Sequence, residues 1–149
     1  MTARSTMPTR RTRAKPRTLS DADYRRLAEF RSVLRQFLAF SETAAHEAGL
    51  TPQHHQALLA IRGYAEPSRG LAVGELATLL GIRHHSAVGL VDRLAANGLV
   101  RRQEGTADRR RVLVALTPKA DALLASLTLT HRDELRRLAP LLRGVLRRL

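Results

Sequence analysis

The segment GTADRRRVLVALT, residues 105–117, sets three consecutive guanidinium groups, Arg109, Arg110 and Arg111, between a glycine-containing loop and a run of β-favouring apolar residues. A guanidinium is always charged and presents a planar fork of donors that fits phosphate oxygens, so the chemistry on offer is recognition of a polyanion. Asp108 has the wrong sign for that task. Its expected role is internal: it orients a neighbouring arginine through a charge-assisted hydrogen bond and stiffens the loop. The histidines are the other residues with chemical potential. His54 with His55 and His84 with His85 are adjacent pairs, and neighbours on a helix point about 100° apart, so neither pair chelates a metal by itself. HEAGL at 46–50 lacks the second histidine of a zinc-protease helix. His85 and Ser86 are neighbours in sequence rather than a nucleophile and base brought together in space, and no oxyanion loop accompanies them. No catalytic residue, metal or cofactor is expected, and an enzyme is disfavoured.

The net charge of +13 over 149 residues agrees with the arginines and favours nucleic acid over an anionic membrane surface. Two features temper it. All but Lys15 and Lys119 of the 26 cations are arginines, which a biased genome also produces, and six cations (Arg4, Arg10, Arg11, Arg13, Lys15, Arg17) crowd into the first 17 residues without an acid among them. That stretch, interrupted by Pro8 and Pro16, reads as a disordered basic tail over residues 1–18. Three phenylalanines, two tyrosines and no tryptophan leave a core of leucine, valine and alanine, so a mainly α fold is expected. Absence of cysteine removes disulfides and thiolate-bound zinc. No apolar run approaches the ~18 residues of a membrane span, and the start lacks the apolar segment of a signal peptide. A cytoplasmic protein with no membrane partner is the resulting expectation.

The elements that must position these residues follow from caps and periodicity. Ser20 with Asp23 resembles a capping box, and Leu27, Phe30, Leu34 and Phe37 form one apolar stripe of a helix ending before Gly49. Thr51 and Pro52 start a second helix, which Gly63 and Pro67 close. A short helix over Gly74–Leu80, a turn at Gly81 and a helix over His84–Ala96 come next, with Gly98 as the stop. Ala77 and Gly81 stand four apart, as two helices packed at a steep angle require, and Leu76, Leu80, Ile82, Ala87, Leu90 and Leu94 supply the faces. A plain helical hairpin shows the same spacing. The strand-like segments LVRRQE and RVLVALT that follow turn the reading towards a winged helix-turn-helix, in which a β-hairpin wing reaches the minor groove or backbone beside the major-groove helix. Asp108, Arg109, Arg110 and Arg111 then sit at or just beyond the wing tip.

Thr117 and Pro118 begin a last helical region running to Leu149, with Pro140 expected to open a separate final helix. Leu124, Leu127, His131 and Leu135, continued by Leu138, Leu142, Val145 and Leu149, keep the spacing of a helix seam. With Arg143, Arg147 and Arg148 beside it and little else in the chain to cover it, the seam Leu138, Leu142, Val145 and Leu149 is expected to meet a second copy. Residues 19–50 and 118–149 are thus assigned to helical dimerisation and 51–117 to DNA binding.

The segments GLTPQHHQALLAI, GELATLLGIRHHSAVGLVDRLAANGLVRR, DRRRVLVALT and TPKADALL, in this order over residues 20–149, resemble the MarR family of winged helix-turn-helix transcription regulators. The resemblance implies a homodimer whose first and last helices interlock, two recognition helices for a two-fold related double-stranded DNA site, and a small-molecule pocket between the dimer helices and the DNA-binding part. Carried over by position, it makes Arg83 and His85 readers of guanine edges or phosphate, His84 and Ser86 phosphate contacts or caps, and Val88 a contact for a thymine methyl. The family often has polar residues where this chain has Val88 and Gly89, which shifts base reading towards Arg83, His84 and His85. For the pocket, Phe37, Phe40, His46 and His55 are the candidates; Phe37 also lies on the apolar stripe and so suits plain core. A dimeric repressor released by a small-molecule effector is the function expected. The alternative is an architectural protein that binds DNA through its basic tail and wing with little regard for sequence; the ratio of specific to non-specific affinity separates the two.

Overall fold

The computed structural model describes residues 18–66, 69–104 and 111–148. Helix α1 (Asp21–Glu47) starts at the expected cap, where the Ser20 N–H donates to Asp23 Oδ2 at 2.8 Å, so an aspartate takes the place usual for Glu or Gln. Helix α2 (Pro52–Tyr64) follows Thr51, whose Oγ1 accepts from the His54 N–H at 3.1 Å. The chain continues through β1 (Leu71–Ala72), α3 (Val73–Leu80), α4 (His84–Ala96), β2 (Val100–Glu104), β3 (Val112–Leu116) and α5 (Pro118–Leu146). Between α3 and α4, Gly81 takes a φ of +64°, a region that strains any residue with a Cβ, and the Ile82 N–H reaches back to the Ala77 carbonyl at 3.0 Å. This turn sets the angle at which α4 leaves α3.

The expected hairpin is present, with Val100 opposite Leu116 and Glu104 opposite Val112 in antiparallel register. A third strand lies on its other side: β1 pairs with β3, Leu71 opposite Val114. Two residues cannot display an alternating pattern, so periodicity had no means of showing β1. Gly70, at φ +78°, permits the pairing, since a Cβ there would stand 2.7 Å from the Val114 carbonyl oxygen. The wing is thereby rooted in a three-stranded sheet.

Leu58 and Ile61 of α2, Leu76 of α3, Leu90, Val91 and Leu94 of α4, and Val114 of β3 are fully buried in one core. The same core takes in Ala44 and Ala45 at the end of α1 and Leu124 and Leu127 near the start of α5. It therefore crosses both boundaries expected from sequence, near residues 50 and 118, and couples the terminal helices to the helix-turn-helix by direct packing.

Two expectations about the last helix are corrected. Pro140 does not open a new helix but lies inside α5. It removes one N–H from the ladder, a defect the helix tolerates because buried Leu138 and Val145 anchor the turns on either side. Leu138 and Val145 are in turn not an open seam: with 0% and 4% exposure they are buried within the single chain, and Leu142 is half-buried. Leu149 lies outside the described residues. α5 runs alongside α1, and Arg148 pairs with Glu29 at 3.6 Å, so the partner of the stripe is the chain's own first helix. The α1 stripe divides correspondingly. Phe30 and Phe37 are half-buried, whereas Leu27 and Leu34 are exposed with Tyr24 and Leu38; on α5, Leu135, Leu141 and Leu146 are exposed too. No helix among the described residues is long and apolar enough to cross a membrane.

Candidate nucleic-acid interface

α4 has two faces. Ala87, Leu90, Val91 and Leu94 are buried, while Arg83, His84, His85 and Ser86 are exposed and Val88 is partly so. The helix period brings the expected reading residues together on the outer side of the first turn. Among the described residues, the side chains of Arg83, His84, His85 and Ser86 engage in no hydrogen bond or ion pair, which leaves their donors available to a partner. Arg83 occupies the N-cap position without capping the helix through its side chain, so its guanidinium is not spent on α4. Gly89, half-buried on the same helix, keeps the surface low beside Val88.

The wing is fixed to both helices of the helix-turn-helix, to α4 from β2 and to α3 from the start of β3. Arg102 of β2 forms an ion pair with Asp92 of α4. Arg111, at the foot of β3, donates to Glu75 Oε1 at 2.9 Å, and Glu75 Oε2 accepts the Ala72 N–H at 3.0 Å. One carboxylate thus caps α3 and holds the loop end of β3. The two pairs flank a groove of about 560 Å³ lined by His84, Val88 and Val91 of α4 and by Glu75, Arg102 and Arg111. Arg111 immediately precedes β3 at the loop end of the hairpin, where it is paired with an acid. Asp108, Arg109 and Arg110 lie outside the described residues. Glu75, Asp92 and Arg102 were missed because their significance rests on contacts between elements; only the position of Glu75, three residues into a helix start, carried a local signal.

The four pocket candidates separate. Phe37, Phe40 and His55 converge on His131 of α5, with ring centroids 6.0, 5.5 and 4.7 Å from its own, whereas His46 is exposed and lines another groove with His54, Asn97 and Lys119. His131, read from sequence only as part of a stripe, is the centre of the cluster. Its Nδ1 is 2.7 Å from the Leu127 carbonyl and its Nε2 is 2.8 Å from Ser41 Oγ. A carbonyl only accepts, so Nδ1 carries the hydrogen and the Ser41 hydroxyl donates to Nε2. Burial, reinforced by the nearby His131, holds the His55 pKa below its ordinary value. The pKa of His54 is lowered as well, by burial first and then by the charge of Arg93.

A sequence profile described as MarR family matches residues 48–111, from the end of α1 to the foot of β3. Solved structures with the same fold include AbsC, a MarR family transcriptional regulator from Streptomyces coelicolor, at 23% identity and a TM-score of 0.66 over 82% of this chain and 81% of that one. A mutant of Staphylococcus aureus MepR, bound to an oligodeoxyribonucleotide, matches at 18% identity and a TM-score of 0.64, covering 78% of this chain and 82% of that one. CouR from Rhodococcus jostii, bound to p-coumaroyl-CoA, matches at 27% identity and a TM-score of 0.62 over 72% and 73% of the respective chains. With the profile lying on the helix-turn-helix and its wing, and the same fold around it, the chain has the winged helix-turn-helix fold, and its residues 48–111 resemble the MarR family.

Proposed function

We propose that the protein is a sequence-specific double-stranded DNA-binding regulator that works as a homodimer and represses transcription until a small-molecule effector releases it. The observation that carries this reading is the outer face of α4, where Arg83, His84, His85 and Ser86 stand exposed with unengaged donors on a helix whose other face is wholly buried. Such a helix suits the major groove, where each base pair offers a distinct donor and acceptor pattern. Arg83 and His85 read base edges, His84 and Ser86 hold phosphate, and Val88 meets a thymine methyl. Asp108, Arg109 and Arg110 serve the wing's approach to the minor groove, with Arg111 bracing the start of β3 through Glu75. The DNA-bound MepR mutant and the ligand-bound CouR support, by shared fold, a DNA partner and a small-molecule effector respectively.

Dimerisation is assigned to the apolar surface that the chain leaves uncovered: Leu27, Leu34 and Leu38 of α1 with Leu135, Leu141 and Leu146 of α5. Residues 19–50 and 118–149 form that helical region, 51–117 the DNA-binding unit and 1–18 a basic tail that adds phosphate contacts. The effector acts where Phe37, Phe40 and His55 meet α5, and the protein works in the cytoplasm. Selection of duplexes from a random pool by the full chain tests the reading: it predicts a two-fold related consensus whose half-site information weakens in Arg83→Ala. A pool that emerges without a consensus supports the architectural alternative instead.

A further inference from the structure

His55 of α2 and His131 of α5 place their rings 4.7 Å apart while only 5% and 9% exposed. α1 closes the third side with Phe37 and Phe40, both edge-on to His131, and with Ser41. Neutral His131 has a partner for each ring nitrogen. Leu127 takes the Nδ1 hydrogen of His131, and Nε2 receives the Ser41 hydroxyl. A proton added at Nε2 compels Ser41 to accept instead of donate, and a second proton on His55 then sets two like charges side by side in a low-dielectric space.

Among the described residues, neither ring hydrogen-bonds or ion-pairs with an acid that would compensate for such charge. From α1 come two phenylalanines and a serine; from α2 comes His55, with His54 beside it under the influence of Arg93. On α5 the flanking Arg132 is exposed, Asp133 pairs with Arg136 at 3.5 Å, and Glu134 is engaged by Arg137 at 2.6 and 2.9 Å. Among the described residues the ring of His55 has no hydrogen-bond partner. Its ring contact is with the His131 imidazole.

We propose that His55 and His131 form a proton-binding site that makes the packing of α2 against α1 and α5 acid-labile, so that acidification loosens the joint carrying the DNA-binding elements and weakens DNA binding. The DNA half of this inference rests on the proposed function above. The sign follows from linkage. Because the folded chain holds His55 below its ordinary value of 6.5, the unfolded chain takes up the proton first as pH falls. Stability from the neutral pair is whole above about pH 6.5 and is lost as pH drops from there through the folded value.

The experiment uses the full chain, with His55→Gln and His131→Gln as separate variants. Unfolding midpoints at pH 7.5 and 5.5 are expected to fall by about 5 °C more in the wild type than in either variant, because each substitution removes one member of the pair. A random-sequence duplex at fixed ionic strength is the DNA probe. Its affinity should drop about threefold further in the wild type than in His55→Gln over the same interval; both retain His84 and His85, so the difference isolates the pair. Parallel unfolding curves overturn the proposal, and so does an acid-labile midpoint without any difference in DNA affinity. Loss of DNA binding at every pH overturns the proposed function instead, leaving the unfolding comparison to judge the pair. If neither variant folds, an NMR titration of the wild-type imidazoles decides: His55 titrating at or above 6.5 contradicts the proposal.

Discussion

α4 and the paired helices α1 and α5 are amphipathic in the same sense, each burying leucine, valine or alanine on one side, yet their outer faces differ in kind. α4 shows arginine, histidine and serine with free donors; α1 and α5 show Tyr24, Leu27, Leu34, Leu38, Leu135, Leu141 and Leu146. A polar face with unspent donors suits a hydrated, charged ligand, whereas an apolar face on both members of a helix pair suits another such pair, since removing it from water is favourable at about 25 cal/mol per Å². The inner faces specify how the chain folds. What it meets is written on the outer ones.

Substitutions on the inner and outer sides of the α1–α5 pair should therefore fail differently. Leu138→Ala, on the inner side, is expected to cost about 2–5 kcal/mol of folding stability, measured by denaturant unfolding of the full chain. Leu34→Glu, on the outer side of α1, should leave the secondary structure intact but shift the assembly to monomers in sedimentation analysis, with DNA affinity falling as bivalency is lost. An unchanged dimer in Leu34→Glu would remove the outer face from the account. On α4, Arg83→Ala should forfeit about 1–3 kcal/mol of discrimination at particular base pairs without dissociating the dimer. The smallest effect belongs to Glu75→Gln. The Glu75–Arg111 pair is half-exposed, so its removal should change stability by no more than about 1 kcal/mol, while freeing Arg111 to meet a phosphate and steepening the salt dependence of binding by about 0.9. A flat salt response in that variant would show that Arg111 has no reach to DNA.

The parts of the fold that were legible in sequence are those specified locally. Thr51–Pro52 and Thr117–Pro118 mark two helix starts, Gly81 and Gly98 mark two ends, and α4 occupies His84–Ala96 as its pattern indicates. β1 escaped notice because its stability comes from β3 and from the missing side chain of Gly70, neither of which leaves a periodic trace. The α5 stripe illustrates a different limit. Spacing shows that Leu138 and Val145 share a face, but it is silent on whether that face meets α1 of the same chain or a second copy. The exposed residues of the outer face of α4 were recoverable from position on that helix, whereas the brackets Glu75–Arg111 and Asp92–Arg102 join residues of different elements and needed the fold to be seen. Three of the four pocket candidates do come together, around a histidine read from sequence as one position of a helix seam; His46, chosen with them, lies elsewhere.

The most direct test of the central claim, that the free face of α4 reads sequence, is a competition measurement at physiological salt. A duplex selected by the wild-type protein is set against an unrelated duplex of equal length, for the wild type and for Arg83→Ala, with dimer content verified for both. The account predicts a selected-to-unrelated affinity ratio of at least about 10³ for the wild type, reduced at least about fivefold by Arg83→Ala while affinity for the unrelated duplex changes much less. Equal losses on the two duplexes, with the ratio preserved, would contradict it and make Arg83 a phosphate contact on a helix that positions the protein without reading bases.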